Sequence, residues 1–159
     1  MLAGMARLWS ATFPLLYRLL RMMDPPIRAV WSRTGLGNVI EFRVRSRRSG
    51  SERELFLGVL RVGEQLYLGH PNGPCFWTRD LDAAGSAEIR FHGAEPITVQ
   101  GVLLPPGAER TAVIRATNQH PFPGNLVYRL ARGHILAVGR YYRLEPIAAA
   151  TLGEATAGP

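Results

Sequence analysis

Apolar and polar residues alternate strictly from Val39 to Arg45: Ile40, Phe42 and Val44 point one way, and Glu41, Arg43 and Arg45 the other. A period of two is that of a half-buried strand. Residues 55–61 and 65–69 form a second hairpin through Gly63-Glu64, and with the first strand they predict a three-strand meander. Further on, Ala87, Ile89 and Phe91 alternate with Glu88, Arg90 and His92, and the pattern resumes after Gly93 over residues 97–104 until Pro105-Pro106 stops it. Residues 134–144 read as a last strand.

Helical patterns punctuate these strands. Residues 76–84 predict a short helix closed by Gly85, whose missing side chain suits a left-handed cap. Residues 108–117 and 124–132 read as two more helices. Residues 2–23 carry Leu8, Trp9, Phe13, Leu15, Leu16, Leu19, Leu20, Met22 and Met23. At about 100° per residue, Arg7, Arg18 and Arg21 fall within about 60° of one another around the axis. The segment is therefore a basic amphipathic helix, which Pro14 kinks and Pro25 and Pro26 end. Two roles suit it. It covers the open end of a sheet, or it lies at an anionic membrane surface with arginines toward headgroups and Trp9 and Phe13 toward acyl chains.

Six or so strands joined mostly by hairpin-length turns predict a small antiparallel barrel with flanking helices. Residues 1–26 form the amphipathic helix, 27–148 the barrel and 149–159 a frayed tail. A chain of 159 residues, 47% of them hydrophobic, buries a single core. Cys75 is the one cysteine, so no intrachain disulfide is expected. Arg7, Arg18 and Arg21 interrupt the apolar N-terminus before a run of about 18 residues is reached, and no small-residue cleavage site follows. The expected compartment is the cytoplasm, peripheral at the inner face of the membrane if the first helix lies on lipid.

Charge adds chemistry to this outline. The net charge of +7 arises from 19 basic residues against 12 acidic ones, and every basic residue is arginine. The guanidinium fork favours anionic partners: nucleic acid, lipid headgroups or a phosphorylated cofactor. Arg43, Arg45, Arg47, Arg48 and Arg53 crowd one strand and its turn, where like charges repel unless an anion or solvent relieves them. Ser46, Ser49 and Gly50 add hydroxyls and close backbone approach, as phosphate oxygens require. Aromatic residues interleave this patch weakly, so no nucleic acid is expected.

Other motifs are missing. Gly35-Leu36-Gly37 is only a fragment of a phosphate loop, and no serine sits in a G-x-S-x-G elbow. His70, His92, His120 and His134 are scattered without the close pairs of a metal site, so no metal is expected.

The order and spacing of several segments resemble the deazaflavin-dependent nitroreductase family. Residues 46–53, Ser-Arg-Arg-Ser-Gly-Ser-Glu-Arg, are similar to its G-R-K-[ST]-G-x-x-R hairpin. Gly63 with Leu66-Tyr67-Leu68 resembles its second hairpin, and residues 69–73 its small glycine-rich loop. Trp77, Asp80-Leu81 and Ala83-Ala84-Gly85 resemble its P-x-W-[YF]-x-N-L-x-A-N-P segment, and residues 142–146 its closing strand. The resemblance spans about residues 30 to 146. Ser46 departs from the leading glycine, and Arg48 stands where the family has lysine.

The resemblance implies an antiparallel split β-barrel and the coenzyme F-420, a deazaflavin with a phospholactyl-polyglutamate tail. It places Arg48 and Arg53 on the tail's anionic groups, with Ser46, Arg47, Ser49 and Gly50 in the same pocket. Gly69, His70, Asn72, Gly73 and Trp77 would border the deazaflavin ring. Related split barrels bind FMN or heme, and FMN is the alternative cofactor. The activity implied is hydride transfer from the reduced coenzyme to a quinone, nitro or activated-alkene acceptor. His120, Phe122 and Tyr128 would flank that acceptor, and Tyr128 either donates a proton or packs against the barrel. A non-catalytic module that holds F-420, a flavin or a lipid-like ligand is the competing reading. The expected partners are a small-molecule hydride acceptor and, through residues 2–23, an anionic membrane surface; a homodimer is left open.

Overall fold

A computed structural model describes residue 9 and residues 11–15, 24–120 and 122–147. Seven strands, β1 (Val39–Arg45), β2 (Glu52–Gly58), β3 (Leu60–Val62), β4 (Gln65–His70), β5 (Ser86–Arg90), β6 (Ile97–Leu103) and β7 (Arg140–Pro146), form one sheet in the order β2-β1-β5-β6-β7-β4-β3. Every pairing is antiparallel. The two end strands, β2 and β3, are separated in sequence by Val59 alone, so the sheet must curl round until its ends meet. The result is the expected antiparallel split β-barrel with flanking helices.

Asn38 pins the corner where β2 becomes β3. Its carbonyl accepts the Val59 N–H at 2.8 Å, and its side-chain Nδ2 donates to the Val59 carbonyl at 2.8 Å. This corner divides the run expected as one strand over residues 55–61.

Period-two alternation then builds two cores. Ile40, Phe42, Val44, Leu68, Ile89, Val99, Tyr142 and Leu144 point into the barrel. Helix α2 (Phe76–Ala84) closes one end, sending Trp77 and Leu81 from the same helical face into that core. Gly85 ends it with φ 73°, donating its N–H to the Leu81 carbonyl at 2.8 Å, as the sequence predicted. Leu81 packs so closely on β6 that a Cβ at Gly101 would sit 2.7 Å from its side chain.

The other face of β3, β4 and β7 carries the second core. Leu60, Tyr67 and Tyr141 meet Val113 and Ile114 of α3 (Ala108–Arg115), Ala131, and Ile135 of α5 (Arg132–Val138). Tyr141 and Tyr142 are neighbours in sequence, and the pleat sends one to each core. A 3-10 turn (Ala116–Gln119) and α4 (Gly124–Leu130) link α3 to α5.

Three further expected elements differ. The last strand starts at Arg140, and residues 132–138 are helical. Ile135, Leu136, Ala137 and Val138 form an unbroken apolar run, which fits a strand or a helix; packing of Ile135 in the second core, four residues after Ala131, decides for the helix. The helix expected over 124–132 is accordingly two, broken at Ala131. Pro25 and Pro26 stand in the first turn of helix α1 (Asp24–Thr34), which crosses the boundary expected at residue 26. Proline lacks the N–H that a first turn leaves unpaired anyway, so here the pair opens a helix.

Residues 11–15 are helical, and Phe13 is wholly buried in the second core, against Trp9, Tyr128 and His134. The side chain expected among acyl chains is thus an interior one. Leu16, Leu20, Arg7, Arg18 and Arg21, and the tail expected over 149–159, lie outside the described residues. Among the described residues no helix is long and apolar enough to cross a membrane.

Candidate functional site

The tip of the β1–β2 hairpin is shaped by two buried polar residues. Ser46 is 2% exposed; its N–H donates to the Ser51 carbonyl and its own carbonyl accepts the Gly50 N–H, each at 2.8 Å. Gly50 takes φ 70°, which the tight return requires. The Ser46 Oγ accepts Arg53 Nη2 at 3.2 Å.

The second organiser is Asp80 on α2, itself 3% exposed. Its Oδ1 accepts the backbone N–H of Arg47 at 3.2 Å and lies 3.6 Å from Arg47 Nε, while Oδ2 lies 3.5 Å from Arg53 Nε. Burial costs a carboxylate several kcal/mol; the two guanidinium groups, at 3.6 and 3.5 Å, offset part of it by charge, while Oδ2 makes no hydrogen bond with a described residue. The Arg53 guanidinium also sits 5.3 Å above the Phe76 ring centroid. The repulsion among the arginines is visible in the sequence, whereas their internal counter-ion lies on another element and meets them only in the fold. The signal was present: Asp80 falls beside Trp77 and Leu81 on the apolar face of a short helix, where a carboxylate needs a cation.

The five arginines therefore divide. Arg43 pairs with Glu41, Glu54 and Glu88. Arg45 Nε donates to the Gly50 carbonyl at 2.9 Å. Arg47 and Arg53 hold Asp80. Arg48 is exposed at the turn and makes no salt bridge with the described residues, and the Ser49 and Ser51 hydroxyls bond each other at 2.7 Å nearby in the turn. Among the described residues neither Arg45 nor Arg48 has an acidic partner, so the tip presents Arg48, and Arg45 tied only to a backbone carbonyl, beside the two cations paired with Asp80.

The loop after β4 turns mostly inward. A Cβ at Gly69 would lie 2.1 Å from the Tyr141 ring, so the strand needs glycine there. His70 is buried and donates Nδ1–H to the Gly73 carbonyl at 2.9 Å; burial lowers its pKa. Asn72 Oδ1 accepts Nε2–H of His134 at 2.8 Å. Trp77 is 4% exposed, its ring among Phe42, His70 and Tyr142. The indole expected at a cofactor ring is a core side chain.

His120 and Tyr128 come together, with ring centroids 4.7 Å apart, while Phe122 stands 77% exposed. Burial pushes the His120 pKa down to about 4. This cluster adjoins Gly58, which pairs with Val39, whereas the arginine tip begins where Arg45 pairs with Glu52. Six residues of strand, at about 3.3 Å each, put the two some 20 Å apart along the hairpin. The expected site residues thus fall into an arginine tip braced by α2, an inward loop and a histidine-tyrosine corner. Among the described residues no three His, Cys, Asp or Glu side chains gather as a metal would need.

No protein-family model and no curated protein matches the sequence. Among solved structures, the chain is similar to the heme storage protein HutZ from Vibrio cholerae, at 11% identity over 80% of this chain and 92% of that one, with a TM-score of 0.54. It is similar also to a protein of unknown function from Agrobacterium tumefaciens, at 10% identity and a TM-score of 0.51, over 77% of this chain; it spans 54% of that protein's length. An F420-H2 dependent reductase aligns over 68% of this chain and 94% of its own at 12% identity, with a TM-score of 0.49. At these identities the likenesses show the split-barrel fold.

Proposed function

We propose that the chain is a split-barrel oxidoreductase that binds the deazaflavin coenzyme F-420 and serves hydride transfer to a quinone, nitro or activated-alkene acceptor. The observation that carries the reading is the hairpin tip: Arg47 and Arg53 fixed on buried Asp80, with Arg48 left open beside seryl hydroxyls. Phosphate and carboxylate oxygens match that donor set, since charge-assisted bonds are the strong ones and a fixed framework loses little entropy on binding. The bound reduced coenzyme supplies the hydride.

The chain's own residues orient and anchor. Arg48 binds the anionic tail, Asp80 keeps Arg47 and Arg53 from folding back over it, and the corner of His120 and Tyr128 receives the acceptor. Few acid or base groups are needed when the protein's task is near-attack geometry. FMN carries a phosphate that the same tip would hold.

Turnover tests the reading. Reduced F-420 mixed with the protein is followed by its absorbance while quinone, nitroaromatic and enone acceptors are added in turn. Acceptor-dependent oxidation is expected with at least one class. Tight coenzyme binding with no oxidation across all three would leave a sequestering protein instead.

A further inference from the structure

Asn38 does more than brace the barrel corner. Its Nδ2 carries two hydrogens: one goes to the Val59 carbonyl at 2.8 Å, and the other points to His120 Nδ1 at 3.3 Å. The Val59 carbonyl only accepts, so it is the amide nitrogen that faces both partners. An amide nitrogen only donates. His120 Nδ1 must therefore be the unprotonated, accepting nitrogen, and the ring proton sits on Nε2. The imidazole remains neutral across ordinary pH, since burial holds its pKa near 4.

The ring is held from its other sides as well. It lies against Tyr128, and its Cε1 comes so near Gly58 that a Cβ there would be 2.6 Å away. Nε2 makes no hydrogen bond with a described residue, and His120 is half-buried, two residues before the exposed Phe122 in sequence. A donor fixed in direction beside the Tyr128 ring suits an oxygen acceptor on an apolar molecule.

We propose that Asn38 is a positioning residue that fixes His120 as its Nε2–H tautomer, so that His120 offers a hydrogen bond to an oxygen of the hydride acceptor. The proposal deepens the proposed function and rests on it for the identity of the ligand as that acceptor. The tautomer itself follows from this chain's geometry.

Nitrogen-15 NMR of the imidazole side chains in the full chain, with menadione as the probe, needs neither coenzyme nor turnover. His120 is expected with a pyrrole-type Nε2 and a pyridine-type Nδ1, and menadione is expected to move the Nε2–H resonance. Asn38→Asp replaces the donor by an acceptor and should switch the proton to Nδ1. His120→Phe keeps a ring but removes the donor, and should weaken menadione binding about five- to tenfold, the worth of one hydrogen bond. A wild-type Nδ1–H tautomer, or an Nε2–H resonance unmoved by saturating menadione, would overturn the proposal even if Asn38→Asp fails to fold. If tautomer and menadione contact hold while reduced F-420 is never oxidised, the coenzyme reading fails, and the fixed tautomer and its hydrogen bond to a ligand oxygen stand without it.

Discussion

The Asp80 carboxylate, buried on α2, lies 3.6 Å from Arg47 Nε and 3.5 Å from Arg53 Nε, joining the helix that plugs the barrel to the hairpin that carries the arginines. One carboxylate thereby fixes two of the cations at the tip. Asp80→Ala removes the counter-charge and the acceptor of the Arg47 N–H, so it should loosen the tip and weaken anion binding although it raises the net positive charge. The loss in stability should be about 1 to 3 kcal/mol, as for a hydrogen bond to a charged group. Urea unfolding with a parallel phosphate-tail titration checks both; tighter binding with unchanged stability would show that Asp80 only opposes the ligand.

Phe13 connects the N-terminal segment to the helical layer. Its side chain is fully buried against Tyr128 and His134, so Phe13→Ala should cost about 3 to 5 kcal/mol, the usual range for a buried phenylalanine. Urea unfolding measures it. A cost under about 1 kcal/mol would mean that the segment is held too loosely to count as core.

Membrane attachment through residues 2–23 remains a proposal, and its apolar contacts must come from residues other than Phe13. Leu15 is 69% exposed, and Phe122, Leu126 and Leu130 follow at every fourth position with 77%, 39% and 59% exposure. We expect Leu15→Ser with Leu126→Ser to lower co-sedimentation with anionic liposomes while leaving coenzyme affinity unchanged. Equal sedimentation would assign the segment to covering the barrel alone.

His120 links stability to pH. Its folded pKa of about 4 lies below the ordinary 6.5, so between those values the unfolded chain binds the extra proton. Stability therefore rises with pH across that window and is lost as pH falls from about 6.5 toward 4. His70 and His134 are shifted the same way by burial. His120→Phe should flatten the slope in part, which urea midpoints at several pH values would reveal; an unchanged slope would place the titration elsewhere.

Much of the fold was legible because alternation decides which face is buried. Ile40, Phe42 and Val44 could only be a core-facing strand, and Gly63, Gly85 and Gly93 marked turns that the structure places with positive φ. What escaped were places where local pattern is ambiguous and tertiary contact decides. The apolar run at 135–138 had no period of its own, and Pro25-Pro26 stops one helix or starts another equally well. At the site, the arginines were visible as a cluster, but the carboxylate that orders them is 27 residues beyond Arg53 and met it only through folding. Trp77, which the family resemblance puts at the cofactor ring, also has the size and the helical phase with Leu81 of a core residue, and the structure buries it there.

Arg48 as the anion-binding cation of the hairpin tip is put to the test by parallel binding titrations of F-420, FMN and heme with the wild-type protein and with Arg48→Ala. Arg48 is exposed and braces nothing described, so the variant should fold with its stability unchanged within about 0.5 kcal/mol. F-420 is expected to bind most tightly of the three and to lose about 10- to 100-fold in affinity in the variant, a charge-assisted bond being worth about 1.5 to 3 kcal/mol. Heme binding tighter than F-420, or F-420 affinity equal in both proteins, would contradict it.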